Sequence, residues 1–475
     1  MVGASGCLPF PNAFSHRSGS LDNRGEWKRQ EAEGLMYDVK ERLDSAPLSG
    51  TQKRAIALTA LLNGVDGYDV LSMTFAAPAI SAEWQINKAE LGIALSSGLM
   101  GMALGSFFLA PLADRFGRRN LILATLVLMT IGMVLAALSD SVTMLAATRI
   151  LAGLGLGALV PINAPLAMEY SNAARRRLAL GFYAVGYPLG GTLGGFAAAV
   201  LLQYASWHAV FLLGAALSAL MLAVSYFILL EPPAFLLVKR PPGALEKLNL
   251  YLEKCGHEPL EMLPPAPARG PEKSSYRAIF ARGQVGRTIT AAAANLLFLM
   301  TVYYVLSWLP QLVADLGYSS SFATVTSSTL SLFGVAGCLS VGLIGKRMPL
   351  AAMAACYMIG LMAFTTIFGF GEFPQIVLLA LAGAMGLFLY GGVTSIYGVI
   401  VEAFPPAMRA TGVGFGMGMG RVAGAITPAF AGLLFYLGMD RFSVSLLMSL
   451  CALLGAFLLL STRRSIVRPT QTSAA

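Results

Sequence analysis

A chain of 475 residues that is 56% hydrophobic and only 12% charged lies outside the range of soluble domains, in which roughly 25% of residues are charged. The net charge of +9 does not mark nucleic-acid binding, because Lys and Arg stand in short clusters between apolar runs and form no basic helix face. Cys7, Cys255, Cys338, Cys356 and Cys451 show no CxxC or metal-ligand spacing, so they are expected to be unpaired packing residues, with no metal or cofactor.

Apolar runs of spanning length fall at 54–80, 89–113, 120–139, 142–169, 178–203 and 207–230, and again at 286–312, 321–345, 348–370, 374–402, 410–437 and 441–462. About 20 residues cross a bilayer as a helix, so an all-α membrane protein with twelve transmembrane helices is predicted. The implied division is an N-terminal tail 1–53, a six-helix bundle 54–230, a linker 231–285, a second six-helix bundle 286–462 and a tail 463–475. The first fifty residues are polar and lack an apolar signal-peptide core, so the N-terminus is expected inside.

With that orientation the inside segments hold Arg115, Arg118, Arg119, Arg175, Arg176, Arg177, Lys346, Arg347, Arg409, Arg463, Arg464 and Arg468, whereas the outside loops hold only Lys88 and Arg441. This asymmetry is the positive-inside pattern, and it places both termini in the cytoplasm of an inner-membrane protein.

The first span contains Asp66 and Asp69, three residues apart on one helix face. Counted from Arg54 they lie about 18 and 22 Å along the helix. An acid at that depth costs roughly 2.5–3.5 kcal/mol on the insertion scale. The pair either takes up a proton and couples it to transport, or is a structural pair satisfied by hydroxyls or an arginine.

After the second span comes APLADRFGRRN. Gly117 suits a tight turn, Asp114 is an acceptor beside helix ends, and Arg115, Arg118 and Arg119 mark the inner face and can bind lipid phosphates. Span four carries Arg149, which either pairs with Asp69 or binds an anion, followed by the close-packing Gly153, Gly155 and Gly157, and ends at Glu169. The linker holds one amphipathic stretch around Leu245, Leu248, Tyr251 and Leu252, which is either a short surface helix or part of a disordered loop.

The two halves repeat. Glu169, Arg176, Gly181 and Phe182 match Glu402, Arg409, Gly414 and Phe415 at one constant offset, and duplicated halves with a binding site between them characterise secondary transporters. Tyr303 and Trp308 in span seven, with Tyr183, Tyr187, Tyr304 and Tyr397, are able to stack on a ring. Packing is the alternative for each. Span eleven carries a stripe of Gly412, Gly416, Gly420 and Gly424 around Arg421, which lies about 18 Å above Arg409, near the midplane. A planar guanidinium there suits a carboxylate.

The loop signature from Ala110 to Asn120 resembles that of the major facilitator superfamily, with Ala110 where a glycine is usual. The DGYD of span one, the RxxxGxGxG of span four and the E-x-F-P-x-x-x-R-A-T-G-x-G leading to Arg421 resemble the aromatic acid:proton symporters within it. The resemblance implies two pseudo-symmetric six-helix bundles rocking about a central cavity. It implies Asp66 and Asp69 in proton coupling, Asp114 in gating, and Arg149, Glu169, Arg409 and Arg421 in substrate or gate interactions. With the residues read above, the expected substrate-binding set is Arg421, Arg149, Tyr303 and Trp308, and the expected gating set is Asp114, Arg115, Gly117, Arg118, Arg119, Glu169, Arg176, Glu402 and Arg409. His16, His208 and His257 all lie in tails or loops, so any histidine that some members use inside the second bundle is missing here.

The expected function is proton-coupled import of a small aromatic carboxylate by a monomer embedded in lipid. Another organic anion or a sugar acid is the alternative cargo. A transporter-like sensor would add a signalling domain, for which neither the linker nor the C-terminal tail has room. No enzyme is expected, since no nucleophile with its base and no HExxH is present.

Overall fold

A computed structural model describes residue 39 and residues 41–264, 276–281, 284–345, 347–404 and 408–461. Among the described residues twelve long helices follow one another: α1 Gly50–Trp84, α2 Lys88–Phe108, α3 Arg118–Ala137, α4 Val142–Glu169, α5 Arg176–Tyr204, α6 His208–Ile228, α7 Val285–Ala314, α8 Ser320–Ile344, α9 Leu350–Phe370, α10 Gln375–Ala403, α11 Arg409–Tyr436 and α12 Arg441–Ser461. Eleven of them are long and apolar enough to cross a membrane. The remaining one, α1, is the longest at 35 residues, and Asn63, Asp66 and Asp69 dilute its apolarity in mid-helix.

Local chemistry sets the helix starts. Ser49 and Gln52 form a reciprocal capping box on α1, and Asn87 and Glu90 form another on α2. Ser141 and Ser319 cap α4 and α8. The second span differs from its sequence limits: α2 stops at Phe108, and a 3₁₀ turn, Ala110–Leu112, and a short helix, Ala113–Phe116, complete it. Pro111 causes the break, because it lacks the N–H that would continue the ladder.

The packing repeats with a shift of six helices. α1 packs on α5 and α6, α2 on α4, and α3 on α4 and α6; in the second half α7 packs on α11 and α12, α8 on α10, and α9 on α10 and α12. The two bundles meet along α2–α11 and α5–α8, two seams that the same pseudo-symmetry exchanges. Glycine allows the closest crossings. A Cβ at Gly157 would overlap the Met102 carbonyl between α4 and α2, and one at Gly190 would overlap the Gly64 carbonyl between α5 and α1.

The segments that carry Arg118, Arg119, Glu169 and Glu231 meet on one face, together with a small cap. Two linker helices, Pro233–Lys239 and Ala244–Cys255, bury Phe235, Leu236, Leu237, Leu248 and Leu252 against Val39 and Leu43. The amphipathic stretch of the linker is therefore a helix, and Tyr251 on it stacks on Tyr170 with centroids 6.2 Å apart.

Candidate functional site

Two aspartates on one turn of α1 point to different partners. Asp69 accepts from Arg149 of α4, Nη1 to Oδ1 at 2.7 Å, and the Arg149 Nη2 donates to the Asp69 carbonyl at 2.8 Å. Both residues are about 2% exposed or less, and the guanidinium also lies 5.7 Å from the Phe211 ring centroid. Of the two roles open to Arg149, the geometry is that of an ion pair within one bundle. A cavity with room for about one water lies against this arginine, between Gly98 and Gly153. Asp69 Oδ2 and Arg149 Nε have no hydrogen-bond partner among the described residues.

Asp66 is buried, and its Oδ1 accepts no hydrogen bond from a described residue. It lies within electrostatic reach of Asp69 on its own helix and of Arg421 on α11. Around these two charges stand Tyr183 and Tyr187 of α5, Tyr303 of α7 and Tyr397 of α10. Tyr187 also meets Tyr390 of α10 across the bundles, ring centroids 6.3 Å apart. Arg421 reaches over to the first bundle, where its Nη1 donates to the carbonyls of Met102 and Gly157 at 3.4 Å each. Those bonds are long, and among the described residues no carboxylate lies within 4 Å of this guanidinium.

Trp308 has its own partners on α11. Its side chain is fully buried, its Nε1 donates to the Pro428 carbonyl at 3.1 Å, and its ring packs on Phe435. Of its two roles, the contacts are those of packing between α7 and α11. Sequence reasoning missed three buried asparagines that bridge helices. Asn63 Nδ2 donates to Tyr183 O, Asn163 to Thr59 O and Asn295 to Gly416 O. Asn63 and Asn295 join corresponding helix pairs, α1–α5 and α7–α11. A lone amide in an apolar span was the available signal.

On the arginine-rich face Gly117 sits at φ 97°, a region that favours glycine. A Cβ there would come within 2.8 Å of the Glu231 carboxylate. That carboxylate accepts from the backbone N–H of Arg118 at 2.6 Å and of Arg119 at 3.2 Å, capping the start of α3. Burial pushes the Glu231 carboxyl up from its ordinary value, against the downward pull of these two bonds and of the neighbouring arginines. Arg119 ties down the end of α6 through the carbonyls of Leu229 at 2.7 Å and Tyr226 at 2.8 Å. Arg118 forms an ion pair with Glu169, and Arg115 is exposed beside Phe116. Arg176 pairs with Asp44 at 2.6 Å, while Glu402 is exposed at the end of α10. The side chains of Asp114 and Arg409 lie outside the described residues.

The sequence pattern of the Major Facilitator Superfamily matches residues 57–371. The chain belongs to this superfamily. It is therefore an integral multi-pass membrane transporter and not an enzyme. Among superfamily relatives, it is 31% identical to the 4-hydroxybenzoate transporter PcaK of Pseudomonas aeruginosa, over 83% of this chain and 88% of the relative. It is 27% identical to a gallate transporter of Pseudomonas putida, over 91% and 96% of the two chains, and 24% identical to a benzoate transport protein of Acinetobacter baylyi, over 88% and 91%. Of solved superfamily structures, the partially occluded inward open xylose transporter XylE from E. coli superposes with a TM-score of 0.68 at 18% identity, covering 90% of this chain and 100% of that one. At that identity the likeness is one of fold.

Proposed function

We propose that the protein is a proton-coupled symporter that imports a small aromatic carboxylate, a benzoate or hydroxybenzoate, across the inner membrane, with the arginine-rich face and both termini in the cytoplasm. The observation that carries the reading is Arg421. A guanidinium stands between the two bundles, among tyrosines, and among the described residues its side chain makes two long carbonyl bonds. An incoming carboxylate meets it with bidentate, charge-assisted hydrogen bonds, and the tyrosine rings offer faces to an aromatic ring. The three relatives named above are transporters of gallate, 4-hydroxybenzoate and benzoate, which supports the same cargo.

Coupling follows from the two aspartates. A buried carboxylate without a partner is costly, so Asp66 is stable either holding a proton or facing the Arg421 cation. A substrate carboxylate that takes Arg421 removes that cation from Asp66, and substrate entry then favours proton uptake at Asp66. Asp69 and Arg149 form the second coupled element, since a proton on Asp69 breaks their ion pair and frees α4 to shift on α1. The bundles 54–230 and 286–462 rock about this centre. Gly117, Arg118, Arg119 and Glu169 hold the cytoplasmic corner of the first bundle, and Asp114, Arg115, Arg176, Glu402 and Arg409 complete the gating set on that face. The unit of transport is a monomer.

Uptake by the purified protein in liposomes, against a panel of labelled aromatic and aliphatic acids and sugar acids with an imposed pH gradient, tests the reading. Accumulation of benzoates that collapses with the pH gradient is expected. Uptake of aliphatic or sugar acids at equal rates removes the aromatic assignment.

A further inference from the structure

A second feature joins the bundles at the face opposite the arginine-rich loops. Lys88 is the first residue of α2, and its Nζ bonds both carboxylate oxygens of Asp315, the C-cap of α7, at 2.7 and 2.6 Å. Gln311, one turn back on α7, donates to the same carboxylate at 2.8 Å. The pair connects the first bundle to the second.

Each charge is misplaced for its own helix. A cation at a helix N-terminus and an anion at a C-terminus both oppose the helix dipole. Lys88 is also one of only two Lys or Arg residues in the outer loops, against the topological preference. The other, Arg441, is taken up within the second bundle by the carbonyls of Gly371 at 2.6 Å and Gly369 at 3.3 Å. What offsets the placement of Lys88 and Asp315 is each other, and that is available only while the bundles touch here.

The surrounding seam is tight. Ser96 Oγ on α2 accepts the backbone N–H of Ala429 on α11 at 2.9 Å. A Cβ at Gly92 would lie 2.8 Å from the Pro428 carbonyl, and one at Gly432 would lie 2.5 Å from the Lys88 carbonyl. At the symmetry-related seam Gln203 of α5 donates to Ser321 of α8 at 3.0 Å, and Ser321 donates to the Ala199 carbonyl at 2.9 Å.

From this geometry we propose that Lys88, Asp315 and Gln311 form the outer latch of the transport cycle, an ion pair that holds the glycine seam of α2 and α11 closed and must break for the cavity to open to the outside. The inference rests on the alternation of two bundles and not on the identity of the cargo. A substrate-free measurement therefore separates it from the symport reading.

The test uses the full-length chain in right-side-out vesicles, with its five cysteines replaced by serine and a reporter introduced as Tyr303→Cys. The rate of alkylation by a membrane-impermeant maleimide added outside is measured without substrate. Lys88→Gln and Asp315→Asn are each expected to raise the rate about 2- to 5-fold, the population shift that an exposed ion pair supplies. Gly92→Ala should raise it by wedging the seam, independently of charge. The exchange Lys88→Asp with Asp315→Lys should return the rate to the parent value, a recovery that general loosening would not give. Unchanged rates in both single variants, or an exchange variant as accessible as the singles, overturns the latch.

Discussion

The division of labour between Asp66 and Asp69 is set by a single turn of helix. Asp69 is locked to Arg149, whereas Asp66 lies within electrostatic reach of Arg421 on the other bundle. Asp66→Asn and Asp69→Asn are each expected to abolish accumulation driven by a pH gradient, because an amide carries no exchangeable proton in this range. Substrate counterflow should survive in Asp66→Asn, and retention of uphill uptake in both variants would remove the coupling role. Arg149→Ala leaves Asp69 buried without its counter-charge and should destabilise the protein by about 3–5 kcal/mol. Combining it with Asp69→Asn should recover much of the lost thermal stability and none of the coupling. Arg421→Ala is expected to weaken binding of a benzoate by about two orders of magnitude, the cost of a buried carboxylate left unpaired, with Arg421→Lys intermediate because it keeps charge without the planar fork. Binding as tight as wild type in a folded Arg421→Ala variant assigns the residue to gating instead. The Asp69–Arg149 pair was one of two readings open from the sequence, and the seat of Trp308 between α7 and α11 was the other role weighed for it. In both cases the residue type was plain and its neighbour across the bundle was not.

Helices α3 and α6 are tied at the arginine-rich face by one carboxylate, Glu231, whose bonds to the N–H groups of Arg118 and Arg119 need the backbone of Gly117 in a conformation that disfavours a side chain. Gly117→Ala forces a strained backbone worth about 1–3 kcal/mol and drives a methyl into that carboxylate. A fall in thermal stability together with slower transport is expected, and a variant as stable as wild type would show that the cap is dispensable. The loop signature pointed to Gly117 and its arginines. Glu231 was not singled out, because it lies more than a hundred residues away at the start of a linker whose polar composition concealed a role in capping. Helix limits were legible to within a few residues, since apolar runs are local signals. The early end of α2 followed from Pro111, visible in the sequence but weighed there only as part of a motif.

At the scale of the molecule, two bundles with the same internal packing touch along two seams and enclose one charged centre. A reporter fused to the C-terminus should read as cytoplasmic, as the distribution of Lys and Arg requires, and an external signal would mean that one of the twelve helices does not cross. By itself the sequence determined the membrane class, the two sets of six helices, their internal repeat and the positions of Asp66, Asp69 and Arg421 along their own helices. Each of these depends on hydropathy, spacing or helical rise along one segment. The tertiary structure alone decided which charges pair among the described residues, namely Asp69 with Arg149, Arg118 with Glu169, Arg176 with Asp44 and Lys88 with Asp315. Helical periodicity fixes the face a side chain presents only relative to its own axis. The partner it meets depends on how neighbouring helices are rotated and how closely their glycines let them approach, and that is a property of the packed bundles.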